Sequence, residues 1–348
     1  MMMSIQREWM EHGTRQHRGW LRSAVAATVA AAFLTVTGAA AGAPVPPDGS
    51  IAGLKAKFID VKGVKTRYYE YGQGEPLVLV HGGATAGANV WSKNILGLAK
   101  RFHVFAVDRL GSGMTQGPKD GDWGNAAQVE HVYQFIQAMK LGRIHLVGHS
   151  SGGALVFYLA IEHPDLIKEL VVVAHGPGMP ALGSGPGKVQ PVLDTCPDQS
   201  TYEGRKCRMV ALAFSAATFD EEFWAADQYM VDLPTSGTRT RVAARADAAQ
   251  TQAYRQRMWD RVKNDGALKM PIMIYGGKQD VLDWEGKDAT ARLNGELGFF
   301  DIVGAKNPNV KMVIINEGGH FMYREHPELF NQDVIGFIDF WAASKPAR

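Results

Sequence analysis

Short apolar segments recur along this chain, and helix-length stretches separate them. Runs this short and uniformly apolar are typical of strands buried on both faces of a parallel sheet. Alternation of strand and helix predicts an α/β fold with a mostly parallel central sheet flanked by helices. The apolar segments are Leu77 to Val80, Val104 to Val107, Ile144 to Val147, Leu170 to Val173, Ile272 to Ile274 and Val310 to Ile315. The stretches between them include Asn89 to Arg101, Asn125 to Lys140 and Ser151 to His163.

The region before the first apolar segment has a different pattern. Apolar and polar residues alternate from Lys55 to Tyr71, with a break at Gly63. This pattern predicts an antiparallel hairpin that opens the sheet. We therefore expect a core made of residues 55–175 and 266–348.

Residues 176–265 interrupt the alternation with roughly 90 residues, more than one crossover needs. We interpret them as an inserted helical lid. Its aromatic side chains either wall a substrate pocket or pack the lid onto itself and the core, and we expect Trp224 and Tyr229 among those that face substrate. The large apolar side chains of this region are Phe214, Phe219, Phe223, Trp224, Tyr229, Met230 and Trp259.

The first 43 residues have the pattern of an export signal. Arginines come first, an apolar run follows from Ala24 to about Val36, and small residues end at Ala43. We predict cleavage after Ala43 and export to the periplasm or the medium. An uncleaved membrane anchor is the alternative, because the apolar stretch approaches the roughly 20 residues that span a bilayer. Residues 44–54 are rich in Pro and Gly and predict a disordered lead.

Composition and charge narrow the function. The chain has 348 residues, of which 46% are hydrophobic, enough for one large catalytic domain with an insertion. The formal charge of the chain is +2, and the first 43 residues account for it because they hold four arginines and two glutamates. The remaining chain is close to neutral, so its charge gives no indication of nucleic-acid binding. The sequence has neither metal-ligand spacing of Cys and His nor a phosphate loop, so we predict no metal and no cofactor. The expected partner is a small-molecule substrate, with no stable membrane partner after signal cleavage, and the oligomeric state is open.

The motif that points to chemistry is Gly148-His149-Ser150-Ser151-Gly152. It follows an apolar run and precedes a helix-length run, so it lies at a predicted strand-to-helix junction. Small flanking residues permit the tight turn that exposes a nucleophile there, and the helix amino terminus favours developing negative charge. Ser150 is the predicted nucleophile.

A serine hydroxyl needs a base, and the base needs a group that orients it. Asp280 follows the strand Ile272 to Ile274, with Asp283 as its nearest rival. His320 follows the strand Val310 to Ile315 across two glycines, so its loop can point it back across the sheet. We predict His320 as the base and Asp280 as its partner.

The oxyanion of a tetrahedral intermediate needs hydrogen-bond donors. Gly83, in the His81-Gly82-Gly83 turn at the end of another strand, could bring a backbone N-H to converge with that of Ser151. An ordinary glycine-rich turn is the alternative for this triplet.

The order of these elements resembles the α/β-hydrolase family. The resemblance rests on Ser150, Asp280 and His320 in that order, on the His81-Gly82 turn, and on the segment Asp108 to Gly113. It spans about Lys55 to the carboxyl terminus and implies an α/β-hydrolase fold. Partial similarity extends to prolyl aminopeptidases and to hydrolases that cleave carbon-carbon bonds in ring-fission products. The latter usually carry Asn before the nucleophile and Trp after the base, where this chain has His149 and Phe321.

These departures favour a serine esterase that acts on small or medium substrates through an acyl-enzyme. A carbon-carbon bond hydrolase, a lactonase and an amidase are alternatives on the same triad, and a non-catalytic small-ligand binding protein is an alternative from another class. We expect His149 and Phe321 to line the substrate site.

Cys196 and Cys207 are the only cysteines, and an export compartment would allow the disulfide that we predict between them.

Overall fold

The computed structural model describes residues 48–83, 87–118, 121–174, 195–198, 201–233, 248–280 and 298–344. The chain divides into two compact units, Met1–Ala41 and Gly42–Arg348. The first unit lies outside the described residues, as does the predicted cleavage position. No helix among the described residues is long and apolar enough to cross a membrane.

An eight-stranded sheet has the order β1-β2-β4-β3-β5-β6-β7-β8. β1 and β2 form the expected hairpin, β2 pairs antiparallel with β4, and every other pairing is parallel. The predicted mostly parallel sheet is therefore confirmed. The strands are β1 (Ala56–Val61), β2 (Val64–Tyr71), β3 (Pro76–Val80), β4 (His103–Val107), β5 (Ile144–His149), β6 (Ile167–Val173), β7 (Ile272–Gly277) and β8 (Val310–Ile315).

Helices cover both faces of this sheet. Alternate residues of each strand point to opposite faces, so Leu77 and Leu79 join one hydrophobic cluster while Val78 and Val80 join the other. Both clusters are closed by helix residues, which is why the buried strands carry no polar alternation. The helices are α1 (Ile95–Leu98), α2 (Asn125–Ala138), α3 (Ser151–Glu162), α4 (Tyr202–Leu212), α5 (Glu221–Asp232), α6 (Ala248–Asp260), α7 (Met322–Glu325) and α8 (Pro327–Ala343).

The predicted disordered lead over residues 44–54 is wrong for its described part, residues 48–54. Ile51 and Leu54 are buried and bridge each other through backbone hydrogen bonds. The carbonyl of Gly49 accepts bonds from the Arg67 guanidinium and from the Tyr69 hydroxyl at 2.7 Å. Burial of Ile51 and Leu54 and the hydrogen bonds to Gly49 hold this segment against the core. A composition rich in Pro and Gly does not reveal these contacts.

The predicted lid over residues 176–265 is too long at its carboxyl end. Trp259 of α6 packs against Phe157 of α3, with ring centroids 5.1 Å apart, and against Phe299. The Tyr254 hydroxyl bonds Glu162, also on α3, at 3.0 Å. Helix α6 therefore belongs to the core layer that contains α2 and α3, and the described lid helices are α4 and α5.

Cys196 and Cys207 form a disulfide in the structure, as the sequence predicted. Cys207 lies on α4, whose first turn is capped by the Thr201 hydroxyl accepting from the Gly204 N-H at 3.1 Å. The cross-link ties the middle of this lid helix to the segment that precedes the helix.

Candidate active site

Ser150 occupies the turn between β5 and α3. Its backbone has φ 54° and ψ −129°, a conformation that L side chains rarely adopt and that costs about 1–3 kcal/mol. The Ser150 N-H donates to the Val173 carbonyl at 2.8 Å, and the Ser150 carbonyl accepts from the Ala154 N-H at 3.1 Å. Bonds to a neighbouring strand and to the first helical turn hold the residue in this strained geometry.

The glycines that flank Ser150 allow a close approach of backbones. A Cβ on Gly148 would overlap the Val156 side chain and the carbonyl of Gly152. A Cβ on Gly152 would overlap the carbonyls of Val80 and His81. The motif is therefore a packing requirement of this turn, which agrees with the predicted strand-to-helix junction.

His320 and Asp280 form a buried pair. The His320 Nδ1 lies 2.7 Å from Asp280 Oδ2, and neither side chain has more than 1% exposure. A carboxylate at Nδ1 accepts a hydrogen there and leaves the lone pair on Nε2. The His320 Nε2 atom is buried and has no hydrogen-bond partner within the described part of the chain. The pair therefore presents an acceptor nitrogen that is ready to take a proton.

The loops after β7 and β8 hold this pair together. The Gln279 N-H donates to the Gly318 carbonyl at 2.8 Å, and the Gln279 side chain accepts from the Gly318 N-H at 3.1 Å. These bonds join the segment that carries Asp280 to the segment that carries His320. Asp283, the rival for the orienting role, lies outside the described residues.

The predicted oxyanion turn packs directly on the nucleophile turn. A Cβ on Gly83 would lie 2.9 Å from Ser151 Oγ, and one on Gly82 would lie 2.9 Å from the Cβ of Ser150. The structure thus brings Gly83 and Ser151 together beside Ser150. Their role as donors stays a prediction.

Arg109 is a site residue to which the sequence analysis assigned no role. Its Nη1 donates to Ser151 Oγ at 2.7 Å, and its backbone N-H donates to His81 Nε2 at 3.0 Å. The side chain is buried. A cation therefore lies next to the residue that follows the nucleophile, and its position two residues after β4 was the signal that could have revealed it.

His149 and Phe321, which we expect to line the substrate site, lie against the catalytic base. Both are fully buried. The His149 Nε2 bonds the His320 carbonyl at 2.8 Å, its Nδ1 lies 3.3 Å from the Tyr323 hydroxyl, and its ring lies 4.7 Å from the His320 ring. Burial raises the pKa of Tyr323 well above its usual value, so its hydroxyl stays a donor. These side chains pack against the base, and contact with substrate stays a prediction for both.

The two lid aromatics expected to face substrate are half-buried on α5. Trp224 packs on Phe219 and Phe223, with ring centroids 5.0 and 5.5 Å away. Tyr229 packs against the hydrophobic cluster on the same face of the sheet. The lid side chain that approaches the base is Phe219, whose ring lies 4.9 Å from Phe321, and Phe321 in turn lies 5.4 Å from His320.

Over the described residues, no group of three or more His, Cys, Asp or Glu side chains is arranged to hold a metal ion. The groups near Ser150, whose backbone is strained, are an imidazole paired with a carboxylate and two glycine-lined turns. Such a set can perform nucleophilic attack on a carbonyl.

Comparisons with known proteins agree with this architecture. A profile of the alpha/beta hydrolase fold matches residues 75–188. The 2-hydroxy-6-oxo-6-(2'-aminophenyl)hexa-2,4-dienoic acid hydrolase of Metapseudomonas resinovorans is 30% identical over 288 residues, which cover 81% of this chain and 90% of that protein.

Two solved structures share the fold. A meta-cleavage product hydrolase from Pseudomonas fluorescens IP01 superposes with a TM-score of 0.65 at 20% identity and covers 82% of this chain and 97% of its own. A bacterial membrane phospholipase A has a TM-score of 0.63 at 20% identity and covers 83% of this chain and 87% of its own. The chain therefore belongs to the α/β-hydrolase family and is an enzyme of that family.

Proposed function

We propose that this protein is a serine hydrolase that cleaves carboxylic esters of small or medium organic substrates. The observation that carries the proposal is the strained Ser150 turn beside the His320–Asp280 pair: the ring of His149, the residue before Ser150, lies 4.7 Å from the ring of His320. Strain at this position is retained only where the surrounding structure enforces it, and such positions cluster at active sites.

The chemistry follows from the placement of these groups. Ser150 Oγ attacks the ester carbonyl, and His320 Nε2 takes the hydroxyl proton and passes it to the leaving alcohol. Water, activated by the same nitrogen, then hydrolyses the acyl-enzyme. The Asp280 carboxylate stabilises the imidazolium. The N-H groups of Gly83 and Ser151 hold the oxyanion in both steps, each donor being worth about 3 to 4 kcal/mol of barrier in comparable sites.

Carbon-carbon bond hydrolysis is the second candidate, and the relative from Metapseudomonas resinovorans favours it because the similarity covers 90% of that protein. Its named substrate is a dienoic acid, and Arg109 supplies a buried cation beside the nucleophile turn. Against this candidate stand His149 and Phe321, which replace the Asn and Trp that such hydrolases usually carry.

A substrate panel separates the two candidates. Purified protein is assayed with p-nitrophenyl esters of increasing acyl length and with a 2-hydroxy-6-oxo-dienoic acid, and Ser150→Ala serves as the control. Ester turnover that is lost in the variant supports the esterase, and the preferred acyl length measures the pocket. Turnover of the dienoic acid alone would replace the ester proposal with the second candidate. Stoichiometric binding without turnover of either class would indicate a ligand-binding protein.

We also propose that the protein is exported after cleavage behind Ala43. The amino-terminal pattern supports this, and so does the Cys196–Cys207 disulfide, which is typical of oxidising compartments. Amino-terminal sequencing of the protein from the periplasm or the medium should begin at Pro44. An intact amino terminus in the membrane fraction would show the anchor instead.

A further inference from the structure

Glu325 is the last residue of α7, the short helix that begins two residues after His320. Its side chain makes three hydrogen bonds. Oε2 accepts from the Gly319 N-H at 2.6 Å, and Oε1 accepts from the Phe214 N-H at 2.7 Å and lies 3.3 Å from the Thr218 hydroxyl. One carboxylate therefore holds two separate parts of the chain.

These two parts are the base loop (residues 316–320) and the lid turn (residues 212–218), which follows α4. They touch directly as well. The His320 N-H donates to the Leu212 carbonyl at 2.9 Å, and a Cβ on Gly319 would overlap the backbone of Ala213 and Phe214. The backbone of the base is thus hydrogen-bonded to the lid, and Glu325 fastens both sides of this contact.

Glu325 is half-buried, and backbone N-H donors surround its carboxyl group. Burial raises the pKa of its carboxyl group, whereas the Phe214 and Gly319 N-H donors and the Thr218 hydroxyl lower it in part. Bonds from N-H groups to a carboxylate are about twice as strong as bonds between neutral groups. Among side chains, only a carboxylate has two acceptor oxygens and no donor. It can therefore accept from both of these N-H groups at once.

We propose that Glu325 is a positioning residue for the catalytic base. Its carboxylate locks the lid turn to the base loop, and this lock fixes the distance between His320 Nε2 and Ser150 Oγ. Since the lid turn is one half of the lock, a shift of α4 is transmitted to the base. This inference rests on the proposed role of His320 as general base.

The test is the rate at which a fluorophosphonate probe labels Ser150. Labelling requires the activated serine but no particular scissile bond, so it does not depend on the natural substrate. Glu325→Gln keeps the size of the side chain and replaces one acceptor oxygen with an NH2 group, which donates and cannot accept. Glu328→Gln, an exposed glutamate three residues away, is the matched control.

We expect Glu325→Gln to label ten- to a hundred-fold more slowly, because a small misplacement of a catalytic group costs up to about 10²-fold. Glu325→Asp should recover part of the rate, since it keeps both oxygens on a shorter side chain. Glu328→Gln should stay within twofold of wild type. On an ester that the protein turns over, kcat should fall while KM changes little.

Wild-type labelling rates in a folded Glu325→Gln protein would overturn the inference and leave the proposed function intact. If that variant does not fold, Glu325→Asp decides the question, and a labelling rate per folded molecule equal to wild type would overturn it. Failure of the wild-type protein to label at Ser150 would instead overturn the proposed function, and the role of Glu325 with it.

Discussion

The two halves of the candidate site are built in different ways. The nucleophile half is local: Ser150 and its glycine neighbours lie in one turn between β5 and α3, and their spacing in the sequence is their spacing in space. The base half is assembled from distant segments. His320 meets Asp280 across 40 positions, bonds Leu212 of the lid across 108 positions, and is backed by His149 from the nucleophile turn itself.

The two halves of the site differ in how they tolerate substitution. The nucleophile turn is fixed by close backbone packing and cannot tolerate even one added carbon at Gly152. The base half is held by backbone and side-chain hydrogen bonds between loops and by a cross-linked lid helix, so it can shift without unfolding the sheet. Substitutions of the glycines on the nucleophile side should therefore cost stability, and substitutions on the base side should cost rate.

The largest effect is expected from Asp280→Asn on the base side. An amide in place of the carboxylate no longer selects the His320 tautomer with its lone pair on Nε2, and kcat should fall by about 10⁴-fold. Steady-state kinetics and a thermal melt measure both consequences. The melting temperature should stay close to wild type, and Asp301→Asn, an exposed aspartate, should leave kcat unchanged. A loss of stability in proportion to the loss of rate would remove the contrast between the two halves.

The next effect is expected from Gly152→Ala on the nucleophile side. The added Cβ meets backbone carbonyls, which cannot rotate away, so the free energy of unfolding should fall by about 3 kcal/mol or more. Urea unfolding measures it. Gly336→Ala on α8 is the control, because its Cβ would enter open space, and it should gain up to about 1 kcal/mol. Equal stability of the two variants would contradict the packing account.

Removal of the disulfide probes the anchoring of the lid. The paired substitution Cys196→Ser and Cys207→Ser should lower the free energy of unfolding by about 3 kcal/mol, because a closed loop of this length restricts the unfolded chain. Calorimetry with and without reductant is the measurement. Reductant should destabilise wild type to the level of the variant and leave the variant itself unchanged. A wild type that is insensitive to complete reduction would show that the cross-link does not anchor the lid.

The smallest expected effect is a loss of stability at low pH, which is caused by His131, a residue outside both halves of the site. Burial of His131 on α2 lowers its pKa from the usual 6.5 to about 4, so the folded protein favours the neutral ring. Its contribution to stability is complete above pH 6.5 and is lost as the pH falls from there toward 4, about 2 kcal/mol at pH 5. Denaturation profiles should show that His131→Gln removes this part of the acid sensitivity. An unchanged profile would mean that the acid sensitivity comes from elsewhere, including the site.

Sequence reasoning succeeded where the information is local. The strand pattern predicted the sheet, and the Gly-x-Ser-x-Gly motif predicted a turn at which both glycines prove to be packing requirements. It failed where the information is tertiary. The stretch Asn89 to Arg101 was expected to be one helix, yet it forms a 3-10 turn over Ala88–Trp91 and the short α1.

The same limit applies to the residues that we expect to line the substrate site. His149 and Phe321 are close to the catalytic residues in sequence, but their direction depends on Tyr323 and on lid aromatics that only the fold brings together. The sequence around Trp259 does not indicate that this side chain packs on α3 rather than in the lid. Glu325 and Arg109 likewise gained a role only through contacts with segments distant in sequence.

The most direct test of the account is identification of the residue that a fluorophosphonate probe modifies. Wild type, Ser150→Ala and Ser151→Ala are treated with the probe, digested and analysed by mass spectrometry. The account predicts modification of Ser150 in wild type and in Ser151→Ala, and none in Ser150→Ala. Modification of Ser151, or an unmodified wild-type protein in its folded state, would contradict Ser150 as the nucleophile and with it the proposed mechanism.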